Sequence, residues 1–190
     1  YQLAKRKAGR ILLLDGNEIA SQASSRAACL LTRARTKPAL MELVQETYDC
    51  INEIETLLGE SLELQQCGSI TVASSEASLK GLEALEEAAT RFGIPNERIP
   101  KEKVQALLPW IDAETVDVAL YMPTDAFIDS ALLCSGYAKA AARLGVMLRP
   151  NCKVKEIMVE GGRVCGVRLA DGECLEAPVV VNAAGSWANL

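Results

Sequence analysis

The chain has 190 residues, 49% of them apolar and 24% charged, with a net charge of −5. That balance is globular: it excludes disordered, collagen-like and low-complexity chains, and domains of about 100–200 residues leave room for one or two. No run approaches the roughly 20 apolar residues of a bilayer span, no signal-peptide pattern opens the chain, and the absence of histidine removes His-based triads and His–metal sites from this stretch.

Tyr1–Lys7 reads as the end of a helix stopped by Gly9. We therefore expect the natural N-terminus to lie upstream. Arg10-Ile-Leu-Leu-Leu-Asp15 is an apolar run ending in an acid, which predicts a buried parallel strand. A loop of small residues follows over 20–31. Pro38 starts a helix whose stripe is Leu40, Val44, Thr47, Ile51, Ile54 and Leu58, closed by Gly59. Residues 62–73 are strand-like, Ser75–Phe92 is a helix ended by Gly93, and Pro100–Leu108 is a short helix stopped by Pro109. Ala119–Met122 reads as a strand, and Asp129 as the N-cap of a helix through Leu144, closed by Gly145. Val154–Val159, Val164–Leu169 and Glu173–Ala177 form a β-meander, with Gly161-Gly162 and Asp171-Gly172 as hairpin turns. Val179–Gly185 reads as one more buried strand.

Residues 1–40 carry eight basic side chains against two acidic ones, so the remaining 150 residues hold a charge of −11. A basic portion of this kind suits a phosphate or carboxylate ligand or nucleic acid. Aromatics at 4% do not interleave with it, which argues against nucleic acid, and Lys5–Arg10 read as solvated charges. The seven cysteines stand singly, with no C-x-x-C pair; we expect no metal site, most thiols buried as small hydrophobes, and a cytoplasmic setting.

A strand ending in an acid is half of the dinucleotide-binding unit, in which the acid holds a ribose hydroxyl about 20 residues after a G-x-G-x-x-G turn. Here the helix, the strand and Asp15 are present, and the glycines fall just upstream of Tyr1 by that count. The cluster Gly161–Gly166 is no substitute, because it sits in a hairpin. The Ala/Ser loop lets backbone N–H groups and the hydroxyls of Ser24 and Ser25 approach an anion closely, and Arg26 adds charge.

Over Tyr1–Lys5, Ile11–Asp15, Ala20–Ala28, Gly68–Ala77, Tyr121–Ala126 and Val180–Trp187, the sequence resembles the D-amino-acid oxidase/glycine oxidase/sarcosine oxidase family of FAD-dependent oxidoreductases. No single motif decides this; their succession over essentially the whole chain does. The resemblance implies an α/β fold: an incomplete Rossmann-like FAD-binding lobe over 1–60 and 126–190, with the meander in it. Part of an α+β substrate-binding lobe, 61–125, is inserted. It implies Asp15 and Gly16 at the adenosine ribose, and Ala23, Ser24, Ala28, Cys29 and Leu30 along the pyrophosphate, ribityl chain and flavin ring. Val154 would meet the adenine, and Ala183, Gly185 and Trp187 would pass close to the flavin. Arg33 and Arg35 become candidates to grip a substrate carboxylate. Cys29 stands where many members have glycine, Ala126 replaces a common glycine and Ser130 a common proline. No His or Cys matches a covalent attachment point, so a non-covalent FAD is expected.

The chemistry implied is oxidation of the carbon–nitrogen bond of an amino acid or secondary amine, a small-molecule substrate, with imine hydrolysis following. No catalytic residue is named, because the family's other substrate contacts come after the stretch present here. Two other classes compete. One is a nicotinamide-dependent Rossmann dehydrogenase, opposed by the long excursion between Asp15 and the next parallel strand. The other is a non-catalytic fragment or interaction module that keeps the fold.

Overall fold

A computed structural model describes residues 1–188; the last two residues of the expected 126–190 lobe segment lie outside the described residues. The chain opens on a single helical turn, α1 (Gln2–Lys5), followed by strand β1 (Leu12–Leu14). A 3-10 turn, Ser24–Arg26, leads to the two-residue strand β2 (Leu30–Leu31) and then to helix α2 (Pro38–Leu58). Next come β3 (Ser69–Ala73), α3 (Glu76–Arg91), β4 (Glu97–Ile99), α4 (Lys101–Leu107), β5 (Val118–Met122) and β6 (Ala126–Phe127). Helix α5 (Ser130–Arg143) precedes β7 (Met147–Arg149) and the meander β8 (Val154–Glu160), β9 (Arg163–Leu169) and β10 (Cys174–Glu176). The chain divides into two compact units, residues 25–136 and residues 1–24 with 137–190; the boundaries fall in the 3-10 turn and in α5.

The helix punctuation read from the sequence holds. Pro38 occupies the first turn of α2, and Gly59 caps it at φ +71°, donating its N–H to Glu55 O at 2.8 Å. Ser75 caps α3 in a reciprocal box with Ser78, each serine oxygen accepting the other's N–H. Asp129 caps α5, its Oδ1 accepting from Leu132 N at 2.8 Å. Most of the expected α2 stripe holds: Ile51, Ile54 and Leu58 are buried, with Met41 and Tyr48 beside them, Val44 and Thr47 are half-buried, and Leu40 is exposed. Leu40, about three turns before Ile51, lies on the same face and is exposed in the helix's first turn.

In residues 25–136 an antiparallel sheet in the order β3-β5-β4 is covered by α3 and α4. Ala34, Ala73, Leu82, Ala89, Leu120 and Met122 pack as one core cluster, and Ile99, Val104, Val116 and Ala119 as another. A second small sheet pairs β2 with β6, Leu30 opposite Phe127 and Leu31 opposite Ala126. The strand expected over 62–73 is confined to Ser69–Ala73, because Glu63 at φ +56° and Gly68 at φ +75° break the extended run. A Cβ at Gly68 would lie 2.8 Å from the Tyr121 ring, so glycine is also required there by space.

In residues 1–24 and 137–190, β1 runs parallel to β7, Leu12 opposite Met147 and Leu14 opposite Arg149. The β1 strand is parallel as expected, yet it is not buried: Leu13 is exposed, since β7 is its one strand neighbour among the described residues. The meander forms as read, in the order β10-β9-β8, with Gly161 and Gly162 both at positive φ in the turn. The strand expected at Val179–Gly185 is absent. Residues 179–184 carry no regular structure, Gly185–Trp187 form a 3-10 turn, and Val179 and Val181 are 74% and 69% exposed. An apolar run becomes a strand only where a sheet edge accepts its N–H and C=O groups, and no such edge takes it among the described residues. The thiols also depart from expectation: Cys50 is buried, Cys67 and Cys174 are exposed, and the other four are half-buried. Most sit on strand ends and turns, where a small side chain cannot reach the core.

Candidate functional site

The residues singled out from the sequence fall in both compact units, and each group is described within its own. In the first, Asp15 ends β1, its N–H bonded to Arg149 O at 3.2 Å and its C=O accepting from Cys152 N at 2.7 Å. The side chain folds into an Asx turn, with Oδ1 accepting from Asn17 N at 2.9 Å. No described residue donates to Oδ2, so the half-buried carboxylate keeps one acceptor for a hydroxyl. Asn151 fastens the turn from the other side, its N–H to Asn17 O at 3.0 Å and its Nδ2 to Glu18 Oε1 at 2.5 Å. A Cβ at Gly16 would meet Lys153 at 3.8 Å. Asp15 and Gly16 are thus brought against the segment that leads into Val154, the first residue of β8.

Ala23 and Ser24 lie exposed after this turn. Ala183, Gly185 and Trp187 are exposed as well; Gly185 is at φ +56°, and Trp187 N bonds Ala184 O at 3.1 Å. No hydrogen bond among the described residues joins them to the Asp15 turn. A surface cavity of about 290 Å³ in this unit is lined by Ala4, Lys7, Gly9, Ile11, Leu144, Gly145 and Val146, and contains none of the singled-out residues.

In residues 25–136, Ser25 is half-buried, and Arg26 and Ala28 are exposed. Arg26 has no ion-pair partner among the described residues, which leaves its charge available to an anion. Cys29 sits at φ +51°, a conformation in which an L side chain crowds the following carbonyl and glycine does not. Its C=O accepts from Ile128 N at 3.3 Å. Burial pushes the Cys29 thiol above its ordinary value, and Cys134 and Asp129 nearby add to that rise. Leu30 is 65% exposed, an apolar side chain offered to the surface at the start of β2.

Arg33 and Arg35 are engaged differently. The Arg33 guanidinium stacks 3.6 Å from the Tyr48 ring centroid, with Nε donating to Thr124 O at 3.2 Å and Nη1 to Gln45 Oε1 at 3.3 Å. Arg35 donates through Nη1 to Thr32 Oγ1 and to Ala34 O.

Around Arg33 lies a polar node that sequence reasoning missed. Asp125 is 2% exposed; its Oδ1 accepts from Arg33 N at 2.7 Å and its Oδ2 from Ser69 Oγ at 2.6 Å. Tyr48 donates its hydroxyl to Leu31 O at 2.7 Å, and burial holds its phenol above the ordinary value, Asp125 and Cys67 adding to the shift and Arg33 opposing it. The Thr124 hydroxyl is buried without a hydrogen-bond partner. Thr124-Asp125 lies inside the family-like segment Tyr121–Ala126, but nothing in that segment tells a buried acid from a solvated turn acid. Among the described residues no cluster of three or more ligating side chains stands ready for a metal, and no helix is long and apolar enough to cross a membrane.

The mouse (Mus musculus) pyruvate dehydrogenase phosphatase regulatory subunit, mitochondrial, is 28% identical over 99% of this chain and 21% of its own length. The 4-methylaminobutanoate oxidase (formaldehyde-forming) of Paenarthrobacter nicotinovorans is 29% identical over 98% of this chain and 23% of its own. Mouse sarcosine dehydrogenase, mitochondrial, is 28% identical over 100% of this chain and 21% of its own. The chain therefore spans less than a quarter of these relatives. Among solved structures, the L-proline dehydrogenase of P. horikoshii shares the fold with a TM-score of 0.87 at 23% identity, over 99% of this chain and 49% of that one. The glycine oxidase of Geobacillus kaustophilus superposes with a TM-score of 0.81 at 25% identity, over 98% and 51%. The family described as "DAO: FAD dependent oxidoreductase" matches residues 1–190. From end to end, then, this chain belongs to the DAO family of FAD-dependent oxidoreductases.

Proposed function

We propose that the protein carrying this chain oxidises the carbon–nitrogen bond of a small amino acid or secondary amine with a non-covalently held FAD. The observation that carries the reading is the family match along the whole of residues 1–190, with a strand-end acid followed by a small-residue loop at its start. When bound, FAD supplies the hydride-accepting chemistry. The residues present fit its adenosine side. Asp15 Oδ2 has no protein donor and suits a ribose hydroxyl, Gly16 follows it beside Lys153, and Val154 offers backbone close by. Ala23, Ser24, Ser25 and Ala28 are small enough for close backbone approach, and Arg26 adds an unpaired cation for the phosphates. Cys29 and Leu30, with Ala183, Gly185 and Trp187, are assigned to the flavin side. Residues 1–60 and 126–190 form the FAD-binding lobe in this reading, and 61–125 part of the substrate lobe.

The two arginines divide their roles. Arg33 is committed to Tyr48, Thr124 and Gln45 and orders the loop. Arg35, bonded locally to Thr32 and Ala34, is the better placed to turn toward a substrate carboxylate. No His or Cys in this stretch matches a covalent attachment point, which supports non-covalent FAD, and dispersed thiols support a cytoplasmic setting, although two of the named relatives are mitochondrial.

A second reading has an observation of its own: one relative is named as a regulatory subunit, so a chain that keeps the fold for regulation is the alternative. FAD titration of the natural full-length protein, followed by flavin fluorescence, tests the site. Asp15→Ala is expected to weaken binding about ten-fold, as for loss of a charged hydrogen bond of ~1.5 kcal/mol, and Asp15→Asn less. Unchanged affinity in both would remove Asp15 from the site. Residues 1–190 alone are expected to bind FAD weakly or not at all, because no G-x-G-x-x-G stands at a strand-to-helix turn in them.

A further inference from the structure

Tyr48 aside, Asp125 and Ser130 are the only buried side chains that carry an oxygen atom among the described residues. All three bond the main chain of one short segment, residues 27–33, and all lie in the unit 25–136. Tyr48, from α2, donates its hydroxyl to Leu31 O at 2.7 Å. Asp125, between β5 and β6, accepts the Arg33 N–H on Oδ1 at 2.7 Å. Ser130, at the start of α5, donates Oγ–H to Ala27 O at 3.3 Å. Between these points the segment runs antiparallel to residues 126–128. Leu31 lies opposite Ala126, Leu30 opposite Phe127, and Cys29 O accepts from Ile128 N at 3.3 Å. Burying a hydroxyl or a carboxylate costs free energy, and here each of the three is offset by a bond to the same stretch of backbone. The path they hold includes Cys29 at φ +51°, where an L side chain is disfavoured. It leaves the Leu30 side chain 65% exposed although its main chain is paired.

We propose that Tyr48, Asp125 and Ser130 are positioning residues for the flavin reaction. They hold the 27–33 main chain in one path, so that Cys29 and Leu30 meet the flavin ring in a fixed place. The inference rests on the reading that assigns those two residues to the flavin side. Ser130 makes its part of the clamp particular to this chain, since the proline common there in the family has no hydroxyl to donate. Fixed placement matters because a displacement of about 1 Å near the reacting atoms costs on the order of 100-fold in rate.

The experiment uses the natural full-length protein loaded with FAD. Each variant is read by amide exchange over residues 27–33, by the flavin's visible spectrum, and by the limiting rate at which an amine reduces the flavin anaerobically. Tyr48→Phe removes one hydroxyl and keeps the ring under Arg33; Ser130→Ala removes the other. In the double variant, exchange over 27–33 should quicken about ten-fold while Ile70–Val72 exchange as in wild type. The flavin band should shift, and reduction should slow about ten-fold. Ser130→Thr should behave as wild type. So should the spectrum and rate of Asp125→Asn, which keeps an acceptor for Arg33 N and a donor for Ser69 Oγ. If the double variant fails to fold, Tyr48→Phe alone carries the same readouts. Faster exchange with an unchanged spectrum and rate overturns the proposal and leaves the flavin reading standing, and so does unchanged exchange. A wild-type protein that takes up no flavin overturns both.

Discussion

The two compact units spend their apolar residues differently. Residues 25–136 close a three-stranded antiparallel sheet under α3 and α4, with Ala73, Ala89, Val104 and Leu120 wholly buried. The other unit holds a two-stranded parallel ladder, with Leu13 and Met147 exposed on it and Val179 and Val181 exposed beyond the meander. Parallel strands are ordinarily covered on both faces. The first unit is thus an organised core, whereas the second is a frame of turns and a meander that leaves apolar surface uncovered among the described residues. The Asp15 turn belongs to this second unit and follows β1, which has β7 as its one strand neighbour among the described residues. That predicts early hydrogen exchange at Leu12–Leu14 and late exchange at Ile70–Val72, which amide mass spectrometry resolves.

The largest expected break is in the meander. A Cβ at Gly166, where φ is +153°, would lie 2.1 Å from Leu175 O. Gly166→Ala should therefore cost about 4 kcal/mol in the meander's unit, read by urea unfolding, with exchange protection over 25–136 unchanged. Next is Asp125→Ala, which strips partners from Arg33 N and Ser69 Oγ at a buried site. About 3 kcal/mol should be lost from the other unit, and less with Asp125→Asn, which keeps an acceptor. If both changes loosen both units equally, the division into two units is wrong.

Smaller, and of opposite sign, is Cys29→Gly. Relief of the left-handed conformation should exceed the added chain entropy and stabilise residues 25–136 by about 0.5–1 kcal/mol, seen as a raised Tm. Smallest is the pH response of one ion pair. Arg98 donates to Glu86 at 2.6–2.9 Å, tying β4 to α3 and holding the Glu86 carboxyl below its ordinary value. The sign follows from linkage: the pair stabilises above the ordinary carboxylate range, and its contribution disappears as pH falls through the lowered folded value. Glu86→Gln should flatten that acid limb slightly for residues 25–136 alone, as measured by urea midpoints across an acid series.

Helices were legible because their ends carry chemistry: Pro38, Gly59, Ser75 and Asp129 each do at the terminus what their residue types predict. The meander was legible from Gly161-Gly162. The strands β2, β6 and β7 were not, since two or three residues show no period. The apolar run at Val179 misled for the converse reason: burial is a property of neighbours, and the run itself does not name them. At the candidate site, Asp15 and its turn were readable from a strand ending in an acid. The Asp125–Ser69–Arg33 node was not, because it joins residues 56 and 92 positions apart. The left-handed backbone at Cys29 was foreshadowed only by the departure from a family glycine.

Anaerobic absorbance titration of the purified natural full-length protein decides whether it is a flavoprotein that oxidises amines. The protein should be yellow, and its flavin band should bleach when a suitable amino acid or secondary amine is added and return with an electron acceptor. A colourless protein that binds a nicotinamide cofactor instead, or a yellow one that no amine in a broad panel bleaches, would contradict it.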